Sequence, residues 1–149
     1  MLRQCSIGAA ASICNIAIHA LVMVAVIRAA RIADELATSH QTLRLMAVMI
    51  AAVTVLMFAH VAEVLVWSAI YAITSAAPEG TDLVYFAFVN YTTLGYGDVT
   101  PVDRWHLLGP ITAMNGVLLF GWSTAVIFEI LRMTLTAAGH EGEKRWWTE

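Results

Sequence analysis

The stretch "NYTTLGYGDVTP", residues 90–101, places two glycines on either side of a tyrosine, directly after two threonines. Glycine adopts left-handed backbone conformations that other residues resist, and alternating hands turn successive carbonyl oxygens to the same side. With Gly95 and Gly97 in this conformation, the stretch predicts a ladder of carbonyl oxygens. Such a ladder suits a monovalent cation, because carbonyl dipoles replace the water around the ion without fixing it as carboxylates would.

The remainder of the chain is strongly apolar. Of its 149 residues, 60% are hydrophobic and only 13% are charged, whereas about 25% of the residues of an average soluble domain are charged. Three apolar runs are long enough to cross about 30 Å of hydrocarbon as helices: Ile7–Ala30, Leu45–Ile73 and Leu107–Leu131. The sequence therefore predicts an all-α membrane protein with three transmembrane helices. The first run is too long for the core of a cleaved signal sequence, and we expect it to remain in the mature protein.

A shorter apolar segment, Leu83–Tyr91, precedes the glycine loop. It can enter the bilayer but not cross it, so we predict a re-entrant helix, with Thr81 as N-cap and Asp82 in the first turn. Its negative C-terminal end, near Thr92, would face the bilayer centre and favour a cation. An irregular loop at this depth must be buried in protein or line a water-filled path. Because one chain supplies one ladder, a ring requires several chains around an axis.

The distribution of basic residues predicts the orientation. Six basic residues would lie on one side if the second helix runs outward and the third inward: Arg28, Arg31, Arg44, Arg132, Lys144 and Arg145. Only Arg3 and Arg104 would lie on the other side, and the positive-inside rule then places the N-terminus outside and the C-terminus in the cytoplasm. The outer segments would carry an acidic vestibule that concentrates cations: Glu79, Asp82, Asp98 and Asp103.

The motif "TTLGYGD" resembles the selectivity filter of the potassium channel family. From Val61 to Ile130, the order of outer helix, pore helix, filter, "DVTP" and inner helix is similar to the two-helix pore module of that family. The resemblance implies passive K⁺ conduction through a homotetrameric pore, with K⁺ as the permeant ion and no organic cofactor. It also implies that the Thr93 hydroxyl completes the innermost ion site and that five carbonyls form the filter: Thr93, Leu94, Gly95, Tyr96 and Gly97.

The motif departs from the family pattern in two places. Leu94 replaces the more usual valine, and Tyr85 and Phe86 stand where the family often has two tryptophans. Aromatic bulk beside the filter is retained, so we still expect selectivity for potassium. A non-conducting membrane scaffold or auxiliary channel subunit is the alternative function.

Other readings of the glycine loop are weaker. A plain glycine-rich turn would have no ligand, and a dinucleotide site would need a third glycine and a following helix. The sequence shows no cluster of Cys, His and carboxylate at metal-binding spacing and no nucleophile beside a base, so we do not expect an enzyme. It shows no nucleic-acid patch either. The expected partners are further copies of the chain and membrane lipids.

Further residues are candidates for supporting the filter and lining the pore. The Asn90 amide is placed to bond Asp98 behind the filter, or else nearby backbone. Gly116 resembles the position where inner helices of the family bend, which implies a hinge, although close packing is the alternative. One face of the third helix is predicted to line the pore: Val117, Phe120, Gly121, Thr124, Phe128 and Leu131. The opposite face would hold Asn115, Trp122 and Glu129.

The second helix carries ionisable residues within an apolar run. His60, Glu63, Trp67 and Tyr71 share one face, and an intramembrane ionisable residue is by default a candidate functional site. Glu63 is expected to contact His60, the base of the pore helix, or Asn115, which lies at a similar depth. The group would be either a buried polar clamp or a pH sensor. The other histidines are interpreted as ordinary solvated or interfacial residues: His19, His40, His106 and His140.

The chain divides into three regions by these patterns. Residues 1–40 form an N-terminal transmembrane helix and cytoplasmic linker, residues 41–136 the pore domain, and residues 137–149 a cytoplasmic tail. The first helix is expected to pack or to face lipid. Cys5 and Cys14 fall on opposite faces of that helix, which argues against an internal disulfide. The expected location is the cell inner (plasma) membrane.

Overall fold

The computed structural model describes residues 1–35 and 41–146, and within these ranges the chain is helical with no strand. Its α-helices are α1 (Leu2–Glu35), α2 (Gln41–Thr74), α3 (Leu83–Tyr91) and α4 (Leu108–Trp146), with a 3-10 turn at Asp103–Trp105. Three helical segments, the last of which begins in the 3-10 turn before α4, are long and apolar enough to span a membrane: Leu2–Ala33, Thr42–Thr74 and Asp103–Thr136. The predicted all-α membrane architecture with three spanning helices is confirmed.

The long helices extend beyond the apolar runs that predicted them. α1 and α2 each contain 34 residues, a length of about 51 Å at 1.5 Å per residue. α4 continues to Trp146, well past Leu131 and into the predicted tail. Hydropathy locates only the part of a helix that suits hydrocarbon, while residues such as Ala, Glu, Lys and Arg continue a helix in water.

α1 packs against both α2 and α4, and α3 lies between α2 and α4. The start of α1 is held at the start of α4, because the Leu107 backbone N–H donates to Gln4 Oε1 at 2.9 Å. Arg3 also lies over the Trp105 ring, 5.2 Å from its centroid. α1 and α4 therefore begin on the same side of the molecule, and α2 runs in the opposite direction. The packing interpretation of the first helix is confirmed.

The turn after α2 directs the chain into α3. Ser75 takes a left-handed conformation with φ 51°, its N–H bonds the Ala72 carbonyl at 3.3 Å, and the Ala76 N–H bonds the Tyr71 carbonyl at 3.1 Å. These two bonds form a Schellman cap, which satisfies carbonyls at the end of the helix. The Val102 N–H then donates to the Ala76 carbonyl at 2.8 Å, so the segment before α4 is joined to the end of α2.

Candidate functional site

The short helix α3 has the predicted bounds, Leu83–Tyr91. Its N-cap is Asp82, whose carboxylate accepts from the Val84 and Tyr85 N–H groups at 3.0 and 3.1 Å. The predicted cap was Thr81, one residue earlier, and this prediction was wrong because a carboxylate at residue 82 reaches both free N–H groups. Nine residues span about 14 Å, roughly half of the hydrocarbon layer. α3 can therefore be re-entrant but cannot cross.

The loop after α3 alternates in backbone hand as the glycines predicted. Thr93, Gly95 and Gly97 have positive φ values of 59°, 56° and 77°. The Leu94 N–H bonds the Val89 carbonyl at 3.0 Å, which turns the loop back from the end of α3. A left-handed conformation costs a residue with a Cβ about 1–2 kcal/mol. Thr93 bears this strain, whereas the other two left-handed positions, 95 and 97, are glycines and avoid it.

A hydrogen bond behind the loop differs from the predicted one. Tyr85 donates its hydroxyl to Asp98 Oδ2 at 2.7 Å, and this bond raises the pKa of the Tyr85 phenol above its usual value. The predicted alternative for Asp98 was Asn90, but Asn90 donates to the Phe86 carbonyl at 2.8 Å instead. An amide on a helix reaches the carbonyl one turn back, whereas the longer tyrosine side chain crosses to the loop. Of the two alternatives for Asn90, bonding to nearby backbone is confirmed.

α4 touches the end of α3 at Gly116. A Cβ built on Gly116 would lie 2.0 Å from the Tyr91 carbonyl oxygen, so no residue with a side chain fits without movement of backbone. Gly121, one and a half turns further along, has no neighbour within 4 Å of such a Cβ. The geometry favours close packing over a hinge as the role of Gly116.

The face of α4 predicted to line the pore is open in the single chain. Val117, Phe120, Gly121, Thr124 and Phe128 are exposed, and Leu131 is half-buried. The opposite side forms a buried stripe: Thr112, Asn115, Leu119, Ser123, Val126, Ile130 and Thr134. Asn115 lies on this stripe as predicted. Trp122 and Glu129 lie beside it, with Glu129 Oε1 accepting from Arg132 at 2.8 Å. That the open face lines a pore stays a prediction.

Polar side chains from all four α-helices meet inside the molecule, and we refer to them as the polar cluster. Its members are Asn15, His19, His60, Glu63, Trp67, Tyr91, Asn115 and Ser123. Glu63 and His19 are fully buried, and the His60 side chain is 15% exposed. An ionisable group in such surroundings is costly unless it is hydrogen-bonded or paired.

The Glu63 carboxylate is the centre of the polar cluster. Its Oε1 lies 2.7 Å from His19 Nδ1, and its Oε2 lies 3.0 Å from His60 Nδ1. Tyr91, the last residue of α3, donates its hydroxyl to Oε2, and the same hydroxyl oxygen lies 2.9 Å from His60 Nδ1. The predicted contacts of Glu63 with His60 and with the base of the pore helix are confirmed.

The outer nitrogens of both imidazoles meet at a single hydroxyl. Ser123 Oγ lies 2.9 Å from His60 Nε2 and 3.1 Å from His19 Nε2. The two rings, the Glu63 carboxylate and this hydroxyl therefore form a closed circuit. The circuit joins α1 and α2 to α4 within the apolar part of the molecule.

Asn115 belongs to a separate arm of the polar cluster. Its Oδ1 accepts from Trp67 Nε1 at 3.0 Å and from Asn15 Nδ2 at 3.1 Å. Asn15 Nδ2 also donates to the Glu63 backbone carbonyl at 3.2 Å. Of the three alternative partners predicted for Glu63, Asn115 makes no direct hydrogen bond to its carboxylate: Asn15 from α1 bonds both Asn115 and the Glu63 backbone carbonyl.

A family model described as "Ion channel" matches residues 59–133, half of the chain. The chain belongs to this ion channel family. No curated protein and no solved structure matches it. The matched residues include the end of α2, all of α3, the glycine loop and the spanning part of α4, while α1 lies outside the match. In this ion channel, Asn15 and His19 therefore reach the polar cluster from a helix outside the matched residues.

The interpretation of His19 as an ordinary solvated or interfacial residue was wrong. His19 is fully buried and contacts Glu63 and Ser123. The signal for its role was its spacing from Asn15: two polar residues four apart on an apolar helix share one face. Ser123 carried a similar signal, since it lies eight residues after Asn115 on the same stripe.

The histidines differ in how far the sequence predicted their surroundings. The sequence offered no metal-type spacing, yet the fold brings ligand atoms of His19, His60 and Glu63 within 4.8 Å of one another. His19 lies 44 residues before Glu63 along the chain, and this separation hides the grouping. His106 is exposed, as predicted. His40 and His140 lie outside the residues whose side chains the structure describes.

Proposed function

We propose that this ion channel protein is a potassium-selective channel that conducts K⁺ passively through a homotetrameric pore. The observation that carries the proposal is the alternation of positive φ at Thr93, Gly95 and Gly97, directly after a helix of half-membrane length. Alternating hands suit a row of carbonyl oxygens on one side of the loop, and such a row can replace the hydration shell of K⁺. In this proposal Thr93, Leu94, Gly95, Tyr96 and Gly97 hold the ion.

The surroundings of the loop support the same function. The bond from Tyr85 to Asp98 restrains the loop from behind, and the C-terminal end of α3 carries the negative partial charge of a helix end, which favours a cation. Thr92 at that end, Phe120 and Thr124 line one groove. The ion path would thus lead from the loop onto the open face of α4.

Several copies of the chain are needed for a pore. Residues 92–98 are all exposed in the single chain, and one loop lines only one side of an ion path. Cyclic symmetry supplies the remaining sides, and four copies give the ring that we propose. Lipid would then cover the outer apolar surfaces, such as Phe58 and Ile73.

We further propose that the N-terminus and the filter face the outside of the plasma membrane. The contacts of Gln4 and Arg3 hold the start of α1 at the segment before α4, on the side of the molecule where α3 begins. Arg28, Arg31 and Arg132 lie toward the opposite ends of their helices. The positive-inside rule assigns that end to the cytoplasm.

Ion flux through purified protein in liposomes tests the proposal. We expect K⁺ efflux through the full-length protein, with far slower Na⁺ efflux from matched vesicles. Native mass spectrometry of the same preparation should give a tetramer. A tetramer that passes neither ion would favour the scaffold or auxiliary-subunit alternative, and a monomer or dimer that conducts K⁺ would contradict the proposed pore.

A further inference from the structure

We propose that the polar cluster contains a binding site for a divalent transition-metal cation, of which Zn²⁺ fits best. The ligands would be His19 Nδ1, His60 Nδ1, the Glu63 carboxylate and the Tyr91 hydroxyl oxygen. The two imidazole nitrogens and the carboxylate lie within 4.8 Å of one another, and the Tyr91 oxygen lies 2.9 Å from His60 Nδ1. The site concerns side chains inside one protomer, so it does not depend on the ion that the pore conducts.

The donor set suits zinc in both kind and spacing. Zinc is commonly four-coordinate and tetrahedral, with imidazole and carboxylate ligands at about 2.0–2.2 Å, which places neighbouring donor atoms about 3.3 Å apart. In the structure the imidazole nitrogens lie 2.7 and 3.0 Å from the carboxylate oxygens. On metal binding these two separations would grow by a few tenths of an ångström, and donor atoms that now lie up to 4.8 Å apart would draw together around the ion.

A count of protons gives an independent reason for a cation. A neutral imidazole has one N–H, and the hydroxyl of Ser123 has one hydrogen. If both histidines direct their Nδ1–H at Glu63, both Nε2 lone pairs face Ser123 Oγ, at 2.9 and 3.1 Å. Ser123 can satisfy only one of them. Reversing either ring moves the missing proton to a contact with Glu63, so with neutral histidines and an ionised Glu63 the four contacts of the circuit share only three protons.

A metal ion bound to the Nδ1 atoms of His19 and His60 removes this shortage of one proton. Both Nε2 atoms then carry hydrogen, and each can donate to one of the two lone pairs of Ser123 Oγ. Metal-bound histidines usually donate their other N–H to an oxygen, which orients the ring. Ser123 is placed to orient His19 and His60 together. It is a positioning residue for the site and does not itself bind the metal.

The charge and access of the site are also compatible with a dication. The Glu63 carboxylate supplies one negative charge, and the Tyr91 phenol supplies a second when its proton leaves to solvent on coordination. The bound site would then be neutral, which limits the cost of burial. A groove of about 390 Å³ is lined by His60, Tyr91 and Ser123, and it leads from the surface to the partly exposed His60. An ion can enter by this route.

Metal uptake by the full-length protein tests the proposal. The purified protein, with any affinity tag removed, is stripped with a chelator and then given Zn²⁺ or Co²⁺ alone. We expect about one ion per chain, as for a closed tetrahedral site, together with a higher melting temperature and the strong visible absorption of tetrahedral Co²⁺. Absence of uptake by wild-type protein that melts cooperatively would overturn the proposal.

Variants identify the ligands. His19→Gln and His60→Gln should each abolish the Co²⁺ spectrum, whereas His106→Gln, at an exposed histidine, should leave it unchanged. Ser123→Ala keeps every ligand and is the milder test if the histidine variants fail to fold. It should weaken Zn²⁺ affinity about 10–100-fold, as the loss of an orienting group does, and leave the tetrahedral Co²⁺ spectrum in place.

Two results would contradict the metal site. One is a loss of Co²⁺ absorption in His106→Gln as large as that in His19→Gln. The other is an unchanged melting temperature with Zn²⁺ combined with a rise in melting temperature on mild acidification. That combination would mean that an additional proton completes the circuit and that no metal binds there.

Discussion

The glycine loop and the polar cluster are adjacent along the chain but opposite in environment. From Thr92 to Asp98 every residue of the loop is exposed, and Tyr96 retains 69% of its accessible surface. One residue before the loop, Tyr91 is fully buried and bonded to Glu63. Side chains from four helices complete the polar cluster, whereas the hydrogen bonds described for the loop run to residues of α3.

This contrast distinguishes contacts made within one chain from contacts that we propose to form between chains. The polar cluster is complete within one chain, so substitutions there should act mainly on the stability of the protomer. The loop is exposed on one chain and, in the proposed function, is completed by other copies. Substitutions there should act mainly on ion selectivity. Substitutions in the two regions should therefore separate effects on stability from effects on selectivity, and we expect the largest effect in the polar cluster.

Removing the Glu63 carboxylate should have the largest effect. Glu63→Leu leaves His19, His60 and Tyr91 without their common partner, and breaking a buried pair of this kind costs about 3–5 kcal/mol. Glu63→Gln should cost less because it keeps the shape and part of the hydrogen bonding. Thermal melting in detergent measures both.

The control for Glu63 is Glu129, which is 40% exposed and paired with Arg132. Glu129→Leu should change the melting temperature little, because solvent screens the attraction between exposed charges. If Glu63→Leu melts at the temperature of Glu129→Leu, the polar cluster does not stabilise the protomer.

Substitution at the contact between α4 and the end of α3 should cause the next largest loss of stability. Gly116→Ala places a methyl group against the Tyr91 carbonyl, and we expect a loss of about 1–3 kcal/mol or more from overpacking. Gly121→Ala meets no neighbouring atom and should be neutral or slightly stabilising, because alanine favours the helix. Melting of the two variants in the same detergent checks this. Equal stability of the two would show that Gly116 does not need to be small.

Glycine in the loop should matter for selectivity more than for stability. Gly97→Ala introduces strain of about 1–2 kcal/mol in a left-handed conformation, and relief of this strain would shift the carbonyls from the positions that we propose to hold K⁺. We expect the ratio of K⁺ to Na⁺ flux to fall. Gly80 is the matched control, since it also has positive φ and open space around it.

Gly80→Ala should suffer similar strain and yet leave the flux ratio unchanged. Both variants are measured in the same liposomes, with melting recorded in parallel. A fall in the flux ratio for both variants would mean that general strain, and not the geometry of the loop, alters selectivity.

The bond from Tyr85 to Asp98 should have the smallest effect. Tyr85→Phe removes an exposed hydrogen bond behind the loop, and we expect a modest loss of selectivity with unchanged melting. Because this bond raises the pKa of Tyr85, its contribution is present below the usual value of about 10 and is lost only as pH rises through the raised value.

Flux ratios of wild-type protein should therefore stay constant across neutral and mildly alkaline pH. Tyr96→Phe, which keeps the ring at an exposed position without this bond, serves as the comparison. A larger change in Tyr96→Phe than in Tyr85→Phe would indicate that the phenol of Tyr96 makes a contact between chains.

The regions that could be predicted from the sequence are those governed by neighbours along the chain. Helix α3 coincides with the predicted apolar segment because hydropathy decides its extent locally, although its cap lies one residue after the predicted one. The alternation at Gly95 and Gly97 follows from the conformational freedom of glycine itself. The open face of α4 follows from its helical period.

The polar cluster could be predicted only in part, because its contacts join residues up to 104 positions apart. His60 and Glu63 are neighbours on α2, and their contact was predictable from a spacing of three. The positions of His19 and Ser123 relative to Glu63 depend on how α1 and α4 pack. No local pattern contains that information, although the spacing of His19 from Asn15 indicated a shared face.

The contact at Gly116 also limits where α4 can bend. Because Gly116 lies directly against the Tyr91 carbonyl, we expect the first two turns of α4 and the end of α3 to move as one rigid block. A bend of α4 is then expected beyond that contact, near Gly121, which leaves free space around the backbone. If the proposed pore is gated at the far end of α4, that end can move widely while the proposed ion path beside Gly116 keeps its width.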